Sequence, residues 1–189
     1  YSNRVFTLSC LASVLMYTAT FANVVMISLH LQYLQGMTAT VAGVVMMAQP
    51  FVMAIVSPYA GKLSDRIETR VIASFGMGIT ALGLALLATI GSTTPIPLIV
   101  VYLMTTGLGF SLFSSPNANA IMGAVDSHQY GIAGSSVATT RVIGQVSSMG
   151  VVAMVFALML GPVQITPEMY PELERALRWC FGVSAAFCL

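Results

Sequence analysis

The sequence predicts an all-α membrane protein of six spans, and three observations predict it. Of 189 residues, 57% are hydrophobic and only 7% are charged, where a soluble domain carries about 25%. The apolar residues form continuous runs of roughly 20, bounded by turn or charge signals. Those runs do not alternate as barrel strands do over about 10 residues. With no water in the hydrocarbon core, each span must satisfy its own backbone groups, so the lipid bilayer surrounds a helix bundle. A net charge of +1 is too small to suggest nucleic acid as a partner, and none is expected.

The first span covers residues 5–31 and ends before Gln35-Gly36. The second, 38–59, stops at Gly61 and a charge cluster. The third, 71–90, is closed by Gly91 and the Pro95/Pro97 pair. The fourth, 96–122, leads into a polar stretch at 126–130. The fifth, 131–160, ends at Gly161-Pro162, and the sixth starts near Leu173 and runs to 189. The chain opens on Tyr1, and Arg4 precedes an apolar run too long for a signal-peptide core. The last apolar stretch offers about 14 residues where a crossing needs roughly 20. The expectation is one six-helix unit, residues 1–189, truncated at both ends from a longer polypeptide.

Charge sets the expected orientation. Arg4 and the trio Lys62, Arg66 and Arg70 fall at the same end of alternating spans, while loops 34–38 and 91–95 carry no Lys or Arg. The positive-inside rule puts Arg4, loop 62–70 and loop 126–130 in the cytoplasm. Loop 161–174 then lies outside with Glu168, Glu172 and Glu174. Arg175 and Arg178 on that side oppose the rule unless they snorkel or pair with those glutamates.

The most informative stretch is Gly61-Lys62-Leu63-Ser64-Asp65-Arg66-Ile67-Glu68-Thr69-Arg70. Glycine lets a helix end pass close to its neighbours. Aspartate can cap a helix or pair with arginine, and arginine can bridge several acceptors. Such a loop can lock two helix ends in one arrangement and release them in another. A solvated loop whose arginines only fix topology is the plainer alternative.

This stretch resembles the cytoplasmic loop signature of the major facilitator superfamily, Gly-x-x-x-Asp-Arg with a basic residue four positions on. It also stands in that family's slot, between the second and third helices of a six-helix half; Thr69 replaces a frequent glycine. Ser28-Leu29-His30-Leu31-Gln32, Ala42-Gly43, Gln49-Pro50, Gly107-Leu108-Gly109, Pro116-Asn117, Ala120-Ile121-Met122-Gly123 and Gly131-Ile132-Ala133-Gly134 to Arg141 are similar to the second half of fourteen-helix drug:proton antiporters. The resemblance implies a C-terminal half with a 3+3 inverted repeat and alternating access around a central site. It implies proton-driven efflux of lipophilic small molecules across a bacterial inner membrane, with no cofactor. The other partners it implies are the N-terminal half of the same transporter, a small-molecule substrate and protons. In that family the proton-taking acids lie mostly in the first half, and no Asp or Glu falls inside these spans before Glu174. The fragment alone is expected to be inactive.

Polar residues inside spans are costly and mark cavities or helix contacts. Arg141, about 10 residues into the fifth span, reads as a gating or structural group, held by Asp126 or by carbonyls and water, or else as a contact to the substrate path. Asn23, Gln49, Asn117, Asn119 and Gln145 are neutral amides. They are explained either by interhelical hydrogen bonds, about 0.6 kcal/mol each, or by cavity lining. The cavity-facing helices of the resembled fold make Asn23, Gln49, Asn117 and Gln145 the candidates. His30 reads as an interfacial histidine. Met16, Tyr17, Met26, Met46, Met47, Phe51 and Met53 suit a site that repacks around varied ligands, and equally suit lipid-facing filler. Ser74, Gly78, Ala81 and Ala85 read as a close-packing stripe. Cys10, Cys180 and Cys188 lack metal-like spacing and read as small buried hydrophobes.

An intramembrane enzyme would need a nucleophile–base pair or metal ligands at membrane depth, and neither HExxH nor GxSxG occurs. A non-transporting packing or regulatory subunit would have no use for the Asp65–Arg66–Arg70 loop. Such a subunit, and an uptake transporter of another substrate class, are the alternatives to efflux.

Overall fold

The computed structural model describes residues 2–159, 161 and 169–188. The helices are α1 (Ser2–Thr20), α2 (Asn23–Leu29), α3 (Ala39–Met46), α4 (Ala48–Ser64), α5 (Thr69–Leu87), α6 (Ile96–Gly123), α7 (Tyr130–Met159) and α8 (Tyr170–Ala186). A π-helical turn, His30–Leu34, follows α2, and a 3-10 turn, Ser127–Gln129, precedes α7. No strand occurs among the described residues. Five helical segments are long and apolar enough to cross a membrane: Arg4–Leu34, Ala39–Ser64, Thr69–Leu87, Ile96–Gly123 and Ser127–Met159. The sixth segment is α8. Residues 160 and 189, where the fifth and sixth spans were expected to end, and Glu168 lie outside the described residues.

Two of the spans are broken, and local chemistry accounts for both breaks. In the second, Pro50 has no N–H to give to the Met46 carbonyl, and its ring crowds that carbonyl; the helix interrupts at Met47. In the first, the hydroxyls of Thr18 and Thr20 donate back to the carbonyls of Val14 and Met16, each at 2.8 Å, a pattern that bends helices. The helical hydrogen-bond ladder is then interrupted at Phe21–Ala22, although Ala22 keeps right-handed helical dihedrals. The Ala22 N–H, released from the ladder, donates to Ser148 Oγ of α7 at 3.0 Å in a buried setting. Removing that acceptor leaves a buried N–H unpaired. Ser148→Ala is therefore expected to destabilise the fold by about 1 kcal/mol, read as a lower midpoint in detergent unfolding, with Ser148→Thr recovering it.

Gly36, at φ +66°, makes the turn out of the π-helical segment, a left-handed conformation that side chains resist. At this same end Gln35 Nε2 donates to the Thr94 carbonyl at 2.9 Å. α8 is fastened there too: Arg178 Nε donates to the Ile90 carbonyl at 3.1 Å, and Arg178 pairs with Glu174 at 2.7 Å. Of the two expected snorkelling arginines, Arg178 thus pairs with a glutamate of its own helix.

α5 and α6 make the closest approach. A Cβ on Gly76 would stand 2.7 Å from the Phe113 nitrogen, and one on Gly83 would stand 2.9 Å from the Thr106 nitrogen. The contact stripe is thus Gly76–Thr80–Gly83, not the expected Ser74–Gly78–Ala81–Ala85. Of those four only Ala81 is buried, and Gly78 faces open space. Both sets have helical spacing, and they lie on neighbouring faces of one helix. α6 also packs on α4, α1 on α7, and α8 closes against α5. The core gathers Met16, Met26, Leu84, Ile99, Phe113 and Phe181. Met47 and Phe51 are exposed, so the methionine and aromatic set divides between core and surface.

Candidate functional site

The polar groups of α1, α6 and α7 converge at one place. On α1, Ser9, Ser13 and Tyr17 recur at i, i+4 and i+8 and so share a face. On α6, Pro116 removes one backbone donor, and Asn117 beside it turns its amide to α1. Asn117 Nδ2 donates to Ser13 Oγ at 2.8 Å and to the Ser9 carbonyl at 3.1 Å. On α7, Gly144 lets the backbone approach α1 so closely that a Cβ there would lie 2.8 Å from the Val14 carbonyl. That approach brings Arg141, one turn earlier, within reach of Tyr17. Arg141 Nε donates to Tyr17 Oη at 3.2 Å, and its guanidinium carbon lies 5.4 Å from the ring centroid. Tyr17 is held from the other side by Phe110, edge-on at 5.6 Å and 72°.

Between these side chains is a recess of about 20 Å³ lined by Ser13, Tyr17, Ser114, Asn117 and Arg141, room for about one water. No acid lines it. Asp126, expected as a holder of Arg141, is exposed at the 3-10 turn and forms no ion pair among the described residues. Arg141 is held by a phenol and an aromatic face, because Gly144 fixes α7 against α1 at that level.

A larger groove of about 970 Å³ opens between α1, α5 and α6, with Arg4, Glu68 and Arg70 at one end and Met77 and Asn117 deeper. Its lining also includes Ser9, Thr69, Ser74 and Asn119, and its charged groups are Arg4, Glu68 and Arg70.

The other expected site residues stand apart from the cluster. Gln49 is half-buried on α4, and its carbonyl lies 2.8 Å from where a Cβ on Gly107 would be. Gln145 is half-buried on α7, one turn beyond Arg141. Asn23 is buried just after the break in the first span, with both amide atoms unpaired. Asn119 is exposed and donates to Ser64 Oγ at 3.0 Å. His30, expected at an interface, is fully buried in the π-helical turn with both ring nitrogens unpaired. α8 packs against that turn and covers it, a contact that the separation of the two segments in sequence conceals.

The Gly61–Arg70 stretch forms the end of α4, an exposed turn and the start of α5. α4 runs through Gly61 and Lys62 to Ser64, beyond its expected end at 59, because Gly61 faces α6, where its Cβ would stand 3.0 Å from Ser115 Oγ. Ser64 Oγ donates to the Gly61 carbonyl at 2.6 Å. Asp65, Arg66 and Arg70 are exposed. Arg70 lies 3.9 Å from Glu68, a loose solvated pair of little energetic weight. The side chains of Asp65 and Arg66 have no hydrogen-bond or ion-pair partner among the described residues.

Sequence reasoning missed Ser13, and it read Tyr17 only as one of a set suited to a repacking ligand site or to lipid-facing filler, not as the partner of Arg141. The signal was present in the i, i+4, i+8 spacing of Ser9, Ser13 and Tyr17, which places three hydroxyls on one face of an otherwise apolar helix.

Residues 9–189 match the family model of the Major Facilitator Superfamily. Among curated proteins the chain is 35% identical over 144 residues to the riboflavin transporter RibZ of Clostridioides difficile, covering 75% of this chain and 31% of that protein. It is 32% identical over 161 residues to the multidrug resistance protein Stp of Mycobacterium tuberculosis, covering 85% of this chain and 29% of that protein. It is 30% identical over 145 residues to a tetracycline resistance determinant of Streptomyces rimosus, covering 75% and 41%. The chain thus spans roughly a third of the length of these relatives.

Proposed function

Since this chain belongs to the Major Facilitator Superfamily of membrane transporters, we propose that it forms the C-terminal six-helix half of a proton-coupled exporter of lipophilic small molecules, working by alternating access in a bacterial inner membrane. The observation that carries the reading is the distribution of burial. The most apolar window is 50% buried in the first span and 39% in the third and fourth, but only 6% in the second and 17% in the fifth. Two spans therefore keep apolar surface that the other helices leave uncovered, and the fifth also carries Arg141 beside Tyr17. A second helical unit closing against those spans, with the polar cluster on the shared path, accounts for both features. The names of Stp and of the tetracycline resistance determinant favour drugs as substrates.

The name of the most identical of these three relatives favours a second reading, transport of riboflavin. Both are tested with the full-length protein in proteoliposomes under an imposed pH gradient, using ethidium and riboflavin as probes. The export reading expects ethidium movement that depends on the gradient and disappears when it is collapsed. Movement of riboflavin with none of ethidium replaces the first reading by the second. Movement of neither, with the protein folded, removes both. Residues 1–189 alone are expected to move neither probe.

A further inference from the structure

We propose that Arg141 is the docking point for a carboxylate, supplied either by a transported solute or by an acidic side chain elsewhere in the same transporter. The inference deepens the reading of this chain as a transporter half and rests on it. Arg141 stands eleven residues beyond Tyr130 in α7, about 16 Å along an axis roughly 45 Å long at 1.5 Å per residue. A hydrocarbon layer of about 30 Å centred on that helix encloses it. A guanidinium at that depth needs water or an anion. Its immediate partners are side chains of the protein: Tyr17 across from it, and Ser13, Ser114 and Asn117 around the adjoining recess.

The geometry leaves the recognition face open. Tyr17 takes the Nε hydrogen. The Nη fork, whose parallel N–H groups match the two oxygens of a carboxylate, has no acceptor and no acid among the described residues. The side chain is exposed, and the phenol hydroxyl and ring of Tyr17 both contact its guanidinium. A cation fixed by its back edge, with its fork free in a low-dielectric setting, is organised for an anion before that anion arrives.

Phenylglyoxal, which modifies guanidinium groups, tests this in the full-length wild-type protein. Labelling of Arg141 is followed by mass spectrometry against an arginine peptide in the same reaction. A solute source predicts that benzoate slows labelling of Arg141 by about tenfold while benzamide does not. A source within the protein predicts that prior carbodiimide amidation of carboxyl groups speeds it by about tenfold. A rate moved by neither treatment, or no labelling under any condition, overturns the proposal. Because the readout does not use transport, failure of the export reading leaves this result interpretable.

Discussion

Placing valine at Gly109 is expected to destabilise the six-helix unit by about 3 kcal/mol or more. The reason is that this glycine is a contact between two backbones. A Cβ at 109 would meet the backbone nitrogen and hydroxyl of Thr80 and would lie 2.7 Å from the Gly76 carbonyl. Side chains can move to accommodate a new methyl group, but helix backbones in register cannot. α5 would have to withdraw from α6 along the whole stripe of Gly76, Thr80 and Gly83. Membrane helices gain little from hydrophobic transfer between one another and depend on this close packing, so the loss has nothing to replace it. Gly78→Ala is the matched control, since nothing lies within 4 Å of a Cβ there; it is expected to be neutral or slightly stabilising through helix propensity. The midpoints of detergent unfolding for the two variants decide the matter. Equal midpoints would mean that α5 and α6 do not rely on this contact.

The two glycines also show how far the fold was legible. Composition and the length of the apolar runs were enough to find the spans, because both are properties of a single helix in a solvent of known thickness. Which face of a helix meets its neighbour is a property of two helices. Ser74–Gly78–Ala81–Ala85 and Gly76–Thr80–Gly83 are equally regular stripes of small residues on one segment, and only the position of α6 selects the second. At Phe21–Ala22 the threonine back-bonds are local, but the acceptor of the freed N–H, Ser148, lies on a span more than a hundred residues later.

The candidate site was legible by residue type and opaque by partnership. Arg141 and Asn117 stand out as polar groups in apolar runs, and the cost of burying them marks them from sequence. Their partners do not stand out. Tyr17 looks like ordinary aromatic filler until Gly144 brings α7 against α1, and Asp126 looks like the natural counter-ion until the helix is built and carries it away from Arg141. His30 makes the same point at the other end of the bundle. An imidazole near the end of a span suggests an interface, but α8 lies over it.

On the export reading proposed above, replacing Asp65 by asparagine in the full-length protein is expected to slow transport by roughly tenfold or more while leaving the fold intact. Asp65 is exposed at the end of α4, so its loss should shift an unfolding midpoint by no more than about 0.5 kcal/mol. Its carboxylate has no partner among the described residues, although Gly61 against α6 and Ser64 on the Gly61 carbonyl fasten the segment just before it. A charge held in place without a partner is of use if one arrives in a second arrangement of the molecule. A charge-assisted hydrogen bond present in only one of two states contributes about 1.5–3 kcal/mol to that state, so removing it shifts the populations by about ten- to a hundredfold. Asparagine keeps the size and removes the charge; glutamate keeps the charge and is expected to recover part of the rate. The measurement is dye transport in proteoliposomes, with the unfolding midpoint taken on the same preparation. Wild-type rates for Asp65→Asn would reduce this loop to a solvated turn whose arginines only set topology. A slow, well-folded Asp65→Asn with an active Asp65→Glu would make its charge part of the conformational cycle.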